Sequence, residues 1–356
     1  MKFSANAGEI KQAWATVSAA VPSRPSHPIL GGVLVSAKNN RLTFQGFDLS
    51  LGIETNCSAQ VEETGSAVFP CARVAGFLSA LASTATIDCD ATKNRMVFKS
   101  GKLRFECPKL GTVEDFPKIF SVVCNNPIEL SSQDFAALSA AIGSCLTCAS
   151  TEESKQVLTG VRLDSGGVIA TNGHILNTKE LGIVVGDMTI APKQAALLAK
   201  LKGNATLLHD ESGLLSVVTS TMTLVCRLLD GPYPDVRKLF PAQNCQTVVP
   251  VAEMRDLINR MSIVESGFTV LNFTKDGLRT SSESESGKVE DFLPIDWPGD
   301  PLEVAFSTKY LKLIFGQFSG ESEVSWQLTG PTGVSVLYSP DASHKLLIMP
   351  LQIRKE

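Results

Sequence analysis

The stretch MKFSANAGEIKQAWATVSAA, residues 1–20, decides the fold. Lys2 and Phe3 read as a short strand. Asn6 is placed to cap a helix, because its side chain can accept from backbone N–H groups that the first turn leaves unpaired. Ile10, Trp14 and Val17 follow at i, i+4 and i+7, one buried stripe of a 3.6-residue period. The unit returns twice. Ile128-Glu129-Leu130 leads into Ser131-Ser132 and a helix with Phe135, Leu138 and Ile142 inward. Val248-Val249-Pro250 leads into a helix with Met254, Leu257, Ile258 and Met261. Helices starting near residues 7, 132 and 251 are about 125 and about 119 residues apart, so the chain reads as one module written three times.

Length and composition agree. The 356 residues divide into three modules, each long enough to bury a core of its own. With 44% hydrophobic and 19% charged residues the chain is globular, not disordered. No apolar run reaches the ~20 residues of a membrane helix. The chain opens directly on a strand, without an export signal, and its nine cysteines are scattered, so reduced thiols and a cytoplasmic location are expected. The net charge of −4 argues against a simple basic nucleic-acid binder.

After the first helix, Pro22, Pro25 and Pro28 predict a stiff extended link. Strand-like runs follow at 34–36, 42–44 and 51–55. A second helix opens at Phe69-Pro70 with Val74, Phe77, Leu78 and Leu81 on one face. The second module has strands over 157–163, 168–171 and 214–218, with its second helix opening at Ala191-Pro192-Lys193. The third opens its second helix at Ser307-Thr308-Lys309, with Leu311, Ile314, Phe315 and Phe318 inward. Two helices and six to eight short strands per module make an α+β plan with antiparallel sheets. Glu283, Glu285, Glu290 and Asp291 read as a solvated loop.

No constellation amounts to an active site. Phosphate-loop, HExxH and GxSxG patterns are absent. The four histidines lie far apart, and Cys145-Leu146-Thr147-Cys148 is a lone CxxC at a helix end; two buried thiols explain it better than a metal. No metal and no cofactor are expected. What recurs is charge: Arg73, Lys193 and Lys309 each fall in the first turn of a module's second helix. If those helices face a common centre, that centre is positive inside an acidic shell, which attracts a polyanion there and repels it elsewhere.

The pieces Arg24-Pro25-Ser26-His27-Pro28-Ile29-Leu30, Phe47-Asp48-Leu49-Ser50, Asp115-Phe116-Pro117, Ala170-Thr171-Asn172-Gly173-His174, Tyr233-Pro234-Asp235 and Met349-Pro350-Leu351 resemble the bacterial DNA sliding clamp, the beta subunit of DNA polymerase III. The resemblance runs in order from residue 1 to about 353. It implies three clamp domains, 1–124, 125–246 and 247–356, and two chains paired head to tail in a ring around duplex DNA. It implies a homodimeric processivity factor without catalytic activity. The ring would be loaded by a clamp-loader ATPase and would tether the replicative polymerase and other proteins that carry a clamp-binding motif. Arg24, Arg73, Lys193 and Lys309 would touch the DNA backbone without reading sequence. Phe105, Cys107, Ile263 and Val264 match the ring interface. A partner-peptide pocket would draw on Leu158, Thr171, Gly173, His174, Ile175 and Leu176, then Pro234, Lys238 and Leu239. Thr332, Val334, Leu347, Met349, Pro350 and Leu351 would complete it.

The chain departs from the family at Ile175 and Gln352, where arginines are usual, which leaves the pocket apolar with two fewer positive charges. Two other readings compete: a monomeric three-domain protein-binding scaffold, and a metal-dependent enzyme using Cys145 and Cys148. Particle mass discriminates the first and metal analysis the second.

Overall fold

The computed structural model describes residues 1–92, 95–124, 126–241 and 245–352, without the side chain of Cys245. Ile353, Arg354, Lys355 and Glu356 lie outside the described residues.

Seven α-helices occur among the described residues: α1 Ala7–Ser18, α2 Cys71–Ser79, α3 Ser132–Leu146, α4 Gln156–Thr159, α5 Pro192–Leu198, α6 Val251–Met261 and α7 Thr308–Gln317. Six of them are the expected pairs. Asn6 caps α1, its Oδ1 accepting from Gly8 N at 2.8 Å and Glu9 N at 3.2 Å. Ser131 and Asp134 form a reciprocal cap at α3. The stripe of α1 is buried against Phe44 and Phe69, with Trp14 only 3% exposed.

Several expectations change. The run 157–163 is half helix: α4 closes with Thr159 Oγ1 donating to Gln156 O, and the strand is only Val161–Asp164. The proline-rich link bends and ends in a 3₁₀ turn, Pro28–Gly31, rather than running extended. The acidic stretch is a hairpin of strands Gly277–Ser284 and Gly287–Leu293, with Glu290 paired to Lys288 and Asp291 to Arg260. Among the described residues the first module holds nine strands and each of the others eight, more than the six to eight expected for the first.

Among the described residues the strands form four antiparallel sheets within two compact units. The first unit is Met1–Phe135 with Gly203–Leu228; the second is Ala136–Lys202 with the chain from Leu229 onward. The repeat and the compact unit therefore differ. Each unit has one eight-stranded sheet built half from one module and half from the next. In the first unit the seam pairs Leu51–Ser58 with Met222–Arg227; in the second it pairs Ile175–Lys179 with His344–Ile348. A five-stranded sheet in the first unit ends on Leu103–Pro108, and a four-stranded sheet in the second ends on Gly287–Leu293. These two end strands occupy the positions in their modules that are seam strands elsewhere.

Candidate functional site

In the second unit the seam builds a cleft. The turn between Gly167–Thr171 and Ile175–Lys179 must reverse the chain in three residues. Gly173 supplies the φ of +90° that this requires. Asn172 Oδ1 accepts from His174 N at 2.9 Å and Ile175 N at 3.0 Å, an Asx turn that holds the loop without help from a ligand. Thr171 Oγ1 donates to Ile175 O at 2.7 Å and accepts from Gly173 N at 3.1 Å. Met349 N then donates to His174 O at 2.9 Å, and Leu351 N to Ala305 O at 2.7 Å, so the terminal segment is fixed beside the loop. The ring of His174 stacks on Tyr310 of α7 at 6.0 Å, and Asn172 Nδ2 donates to the Tyr310 hydroxyl at 3.3 Å.

Strand alternation sorts the predicted pocket residues. Leu176 and Leu347 pair across the seam and join Ile169, Val236 and Val336 in one small core, with Val334 packed against it. They are the floor, and they are nearly wholly covered. Ile175 points the other way, into the main core of the unit with Val249, Met254 and Ile348; it is 1% exposed and does not face the cleft. Ile175 is therefore a core residue at the position where the resemblance drawn from the sequence implies an arginine. Leu158 is half-buried, Thr171 is buried, and Gly173, His174, Pro234, Lys238 and Thr332 are exposed. The apolar surface on offer is Leu239, Met349 and Leu351, 50%, 38% and 42% exposed, with the half-buried Pro350 between the last two. Lys238 is tied to Asp235 at 2.8 Å. Burial pushes the Tyr233 phenol above its ordinary range, and its ring packs against this small core. The sequence reading missed Asn172 as the turn's acceptor and Tyr310 as the support of His174. The Asn-Gly dipeptide was the available signal for the first; nothing in the sequence pointed to the second.

The other expected residues fall as follows. Arg24, Arg73, Lys193 and Lys309 are all exposed, the last three in the first turns of α2, α5 and α7. Phe105 lies half-buried on the end strand Leu103–Pro108, stacked with Phe77 and Phe98. Cys107 is 2% and Val264 5% exposed, so core packing accounts for both side chains; Ile263 is 70% exposed. Cys145 and Cys148 are fully buried, and burial raises both thiols, Cys148 to about 12. No group of three or more potential metal ligands occurs among the described residues. No helix among them is long and apolar enough to cross a membrane.

A threefold module, sheets shared across module boundaries and an apolar cleft beside the second seam define the class: this is the fold of a DNA sliding clamp. The proteins it is similar to are bacterial beta clamps. Residues 1–120 match the family model described as DNA polymerase III beta subunit, N-terminal domain. A beta sliding clamp of Synechococcus elongatus is 27% identical, covering 99% of this chain and 100% of that one. The beta sliding clamp structure from Caulobacter crescentus, with PEG bound to a putative beta-motif tethering region, superposes with a TM-score of 0.92 at 22% identity over 99% of this chain. The sliding clamp of Pseudomonas aeruginosa bound to griselimycin gives 0.91 at 19%, with the same coverage. The resemblance drawn from the sequence thus holds along the whole chain, and the sliding clamp is the function it shares with its relatives.

Proposed function

We propose that two copies of this chain close head to tail into a ring of three-domain protomers, 1–124, 125–246 and 247–356, around duplex DNA. The ring tethers a polymerase and other partners by short peptides held in the second-unit cleft. One observation carries the ring. Inside the chain, the seam strand of each module pairs with the last strand of the next module, twice. The third module's equivalent strand, Gly287–Leu293, and the first module's last strand, Leu103–Pro108, are left as sheet ends. A second copy supplies each with its missing neighbour, and a twofold axis makes the two new seams identical. Ile263 lies in the 3₁₀ turn Ser262–Val264, and Val264 O accepts from Ser284 and Ser286 at the hairpin that carries one of those end strands.

The exposed cations at equivalent helix starts, with Arg24, suit a loose, salt-screened attraction to phosphates, which permits sliding because no base is read. The chain acts without chemistry of its own: it raises the effective concentration of a partner at the DNA. A closed ring on closed DNA needs an ATP-driven loader, and the working compartment is the cytoplasm. Analytical ultracentrifugation tests the ring. Two chains per particle are expected for the wild type and one for Ile263→Lys, whose side chain is exposed in the free protomer, so folding is preserved. A wild-type particle of one chain would overturn the ring in favour of a protein-binding scaffold.

A further inference from the structure

The first unit repeats the turn and seam hydrogen bonds of that cleft. Asp48 Oδ1 accepts from Ser50 N at 2.9 Å and Leu51 N at 2.7 Å, as Asn172 does from His174 and Ile175. Asp48 N donates to Leu51 O, as Asn172 N does to Ile175 O. Leu49 has φ +75° where Gly173 has +90°. Arg227 N donates to Ser50 O at 2.9 Å, the bond that Met349 N makes to His174 O. Register then aligns the rest: Gly52, paired with Val225, stands where Leu176 is paired with Leu347.

The occupants differ. In the second unit the segment after Tyr233-Pro234 lays Val236 on Leu176 and sends Arg237 away to Asp164. In the first unit the segment after Phe116-Pro117 lays Ile119 on Gly52, where a Cβ would meet Ile119 Cγ2 at 2.5 Å. Phe120 then turns into the cleft. Its ring meets Phe47, at the position of Thr171, edge to face at 5.1 Å, and the Arg227 guanidinium, at the position of Met349, covers it at 4.3 Å.

We propose that the first unit carries a second partner-peptide site, a cleft that takes an aromatic side chain, and that Phe120 fills it as a tethered plug. The class of ligand rests on the reading of the second-unit cleft; the geometry of the plug does not. The ring packs on Phe47 and under Arg227, lies on the irregular connection between Leu103–Pro108 and Ile128–Leu130, and is only half-buried. A peptide that presents an aromatic residue can therefore compete for its place.

Hydrogen–deuterium exchange on the full chain tests this, with the blocked peptide acetyl-Phe-Pro-Lys-Ile-Phe-amide as probe. Phe120→Ala empties the cleft and Phe120→Leu keeps it filled. In Phe120→Ala the peptide is expected to protect segments 47–52 and 222–228. In the wild type and in Phe120→Leu the apparent affinity there is expected to be about tenfold weaker, the ratio set by one aromatic contact pair. No protection of 47–52 in Phe120→Ala, or protection as strong in the wild type, would overturn the proposal. Should Phe120→Ala not fold, Arg227→Ala decides instead: it unroofs the ring and leaves the core, and absence of gained protection counts against the plug. Protection of 171–176 and 347–350, read in the same experiment, reports on the second-unit cleft separately.

Discussion

The two seams carry the same backbone and different side chains, before the cleft and behind it. In front, Phe120 closes one cleft, while its counterpart Arg237 leaves the other for Asp164. Behind, Ile53 and Met222 are buried in the first unit, and register puts Asn177 and His344 in their places in the second. Asn177 Oδ1 meets His344 Nε2 at 3.0 Å, and Asn177 Nδ2 donates to Ser144 Oγ at 3.1 Å. A hydrogen-bonded frame therefore tolerates either an apolar or a polar backing, and what each seam can bind is decided by a few side chains laid over it.

The largest difference expected is in acid. Burial, with Lys179 nearby and Asp341 partly opposing, lowers His344 to about 3. Phe318 packs on its ring at 4.6 Å. In the unfolded chain the same imidazole titrates near its ordinary value, so between about 6.5 and 3 the unfolded state binds the extra proton. Stability is full above that window and falls as the pH drops through it, by on the order of 3–5 kcal/mol. Asp341, held down to about 2 by Ser339 and Ser343, adds a loss only below its ordinary carboxylate range. Urea denaturation at about pH 7 and about pH 4 should show the second unit, reported by Trp297 and Trp326, weakening more than the first, reported by Trp14. Giving the second unit the first unit's pair, Asn177→Ile with His344→Met, should remove most of that gap. An unchanged gap would place the acid sensitivity elsewhere.

The helices of this contrast were legible and the seams were not. A 3.6-residue stripe such as Ile10, Trp14 and Val17 states both the element and its inward face. Strand alternation states a face but no partner, so nothing in 51–55 announces pairing with 222–226, eight-stranded sheets that cross module boundaries, or two compact units made from three repeats. Ile175 and Leu176 are adjacent apolar residues, and only the observed pleat tells which one faces the cleft. Cys107 and Ile263 were both expected at the ring interface, yet one lies in a core and the other in solvent, since a matched sequence position carries no burial information. Phe120 was invisible as a plug because the linkers Phe116-Pro117 and Tyr233-Pro234 read alike until the ring is seen under Arg227.

A smaller effect separates the two turn acceptors. Asp48→Ala and Asn172→Ala each strip the acceptor from two backbone N–H groups, which costs about 1–3 kcal/mol by the usual penalty for leaving such donors unpaired. The stability losses, measured by urea denaturation, should be alike. The functional losses should not. Asn172 also holds Tyr310 under His174, so Asn172→Ala should weaken peptide binding at the second-unit cleft, whereas Asp48→Ala should leave that binding intact. Equal losses of binding would mean the two seams are energetically coupled.

The smallest expected effect isolates the backbone itself. Leu49 and Gly173 occupy the same left-handed position, and a Cβ built on Gly173 meets nothing within 4 Å. A side chain there is opposed only by its own conformation, about 1–2 kcal/mol for an L-residue in this region. Glycine removes that strain but gives the unfolded chain more freedom, about 0.5–1 kcal/mol in the opposite sense. Leu49→Gly should therefore stabilise the first unit by roughly 0.5–1 kcal/mol, and Gly173→Ala should destabilise the second by a similar amount, with opposite signs in paired urea titrations. The Leu49 side chain, 44% accessible, offsets part of this through the surface it does cover, which puts the expected gain at the low end. If Leu49→Gly instead lost stability, the leucine would be making contacts that the seam needs, and the two turns would be equivalent in hydrogen bonding but not in energy.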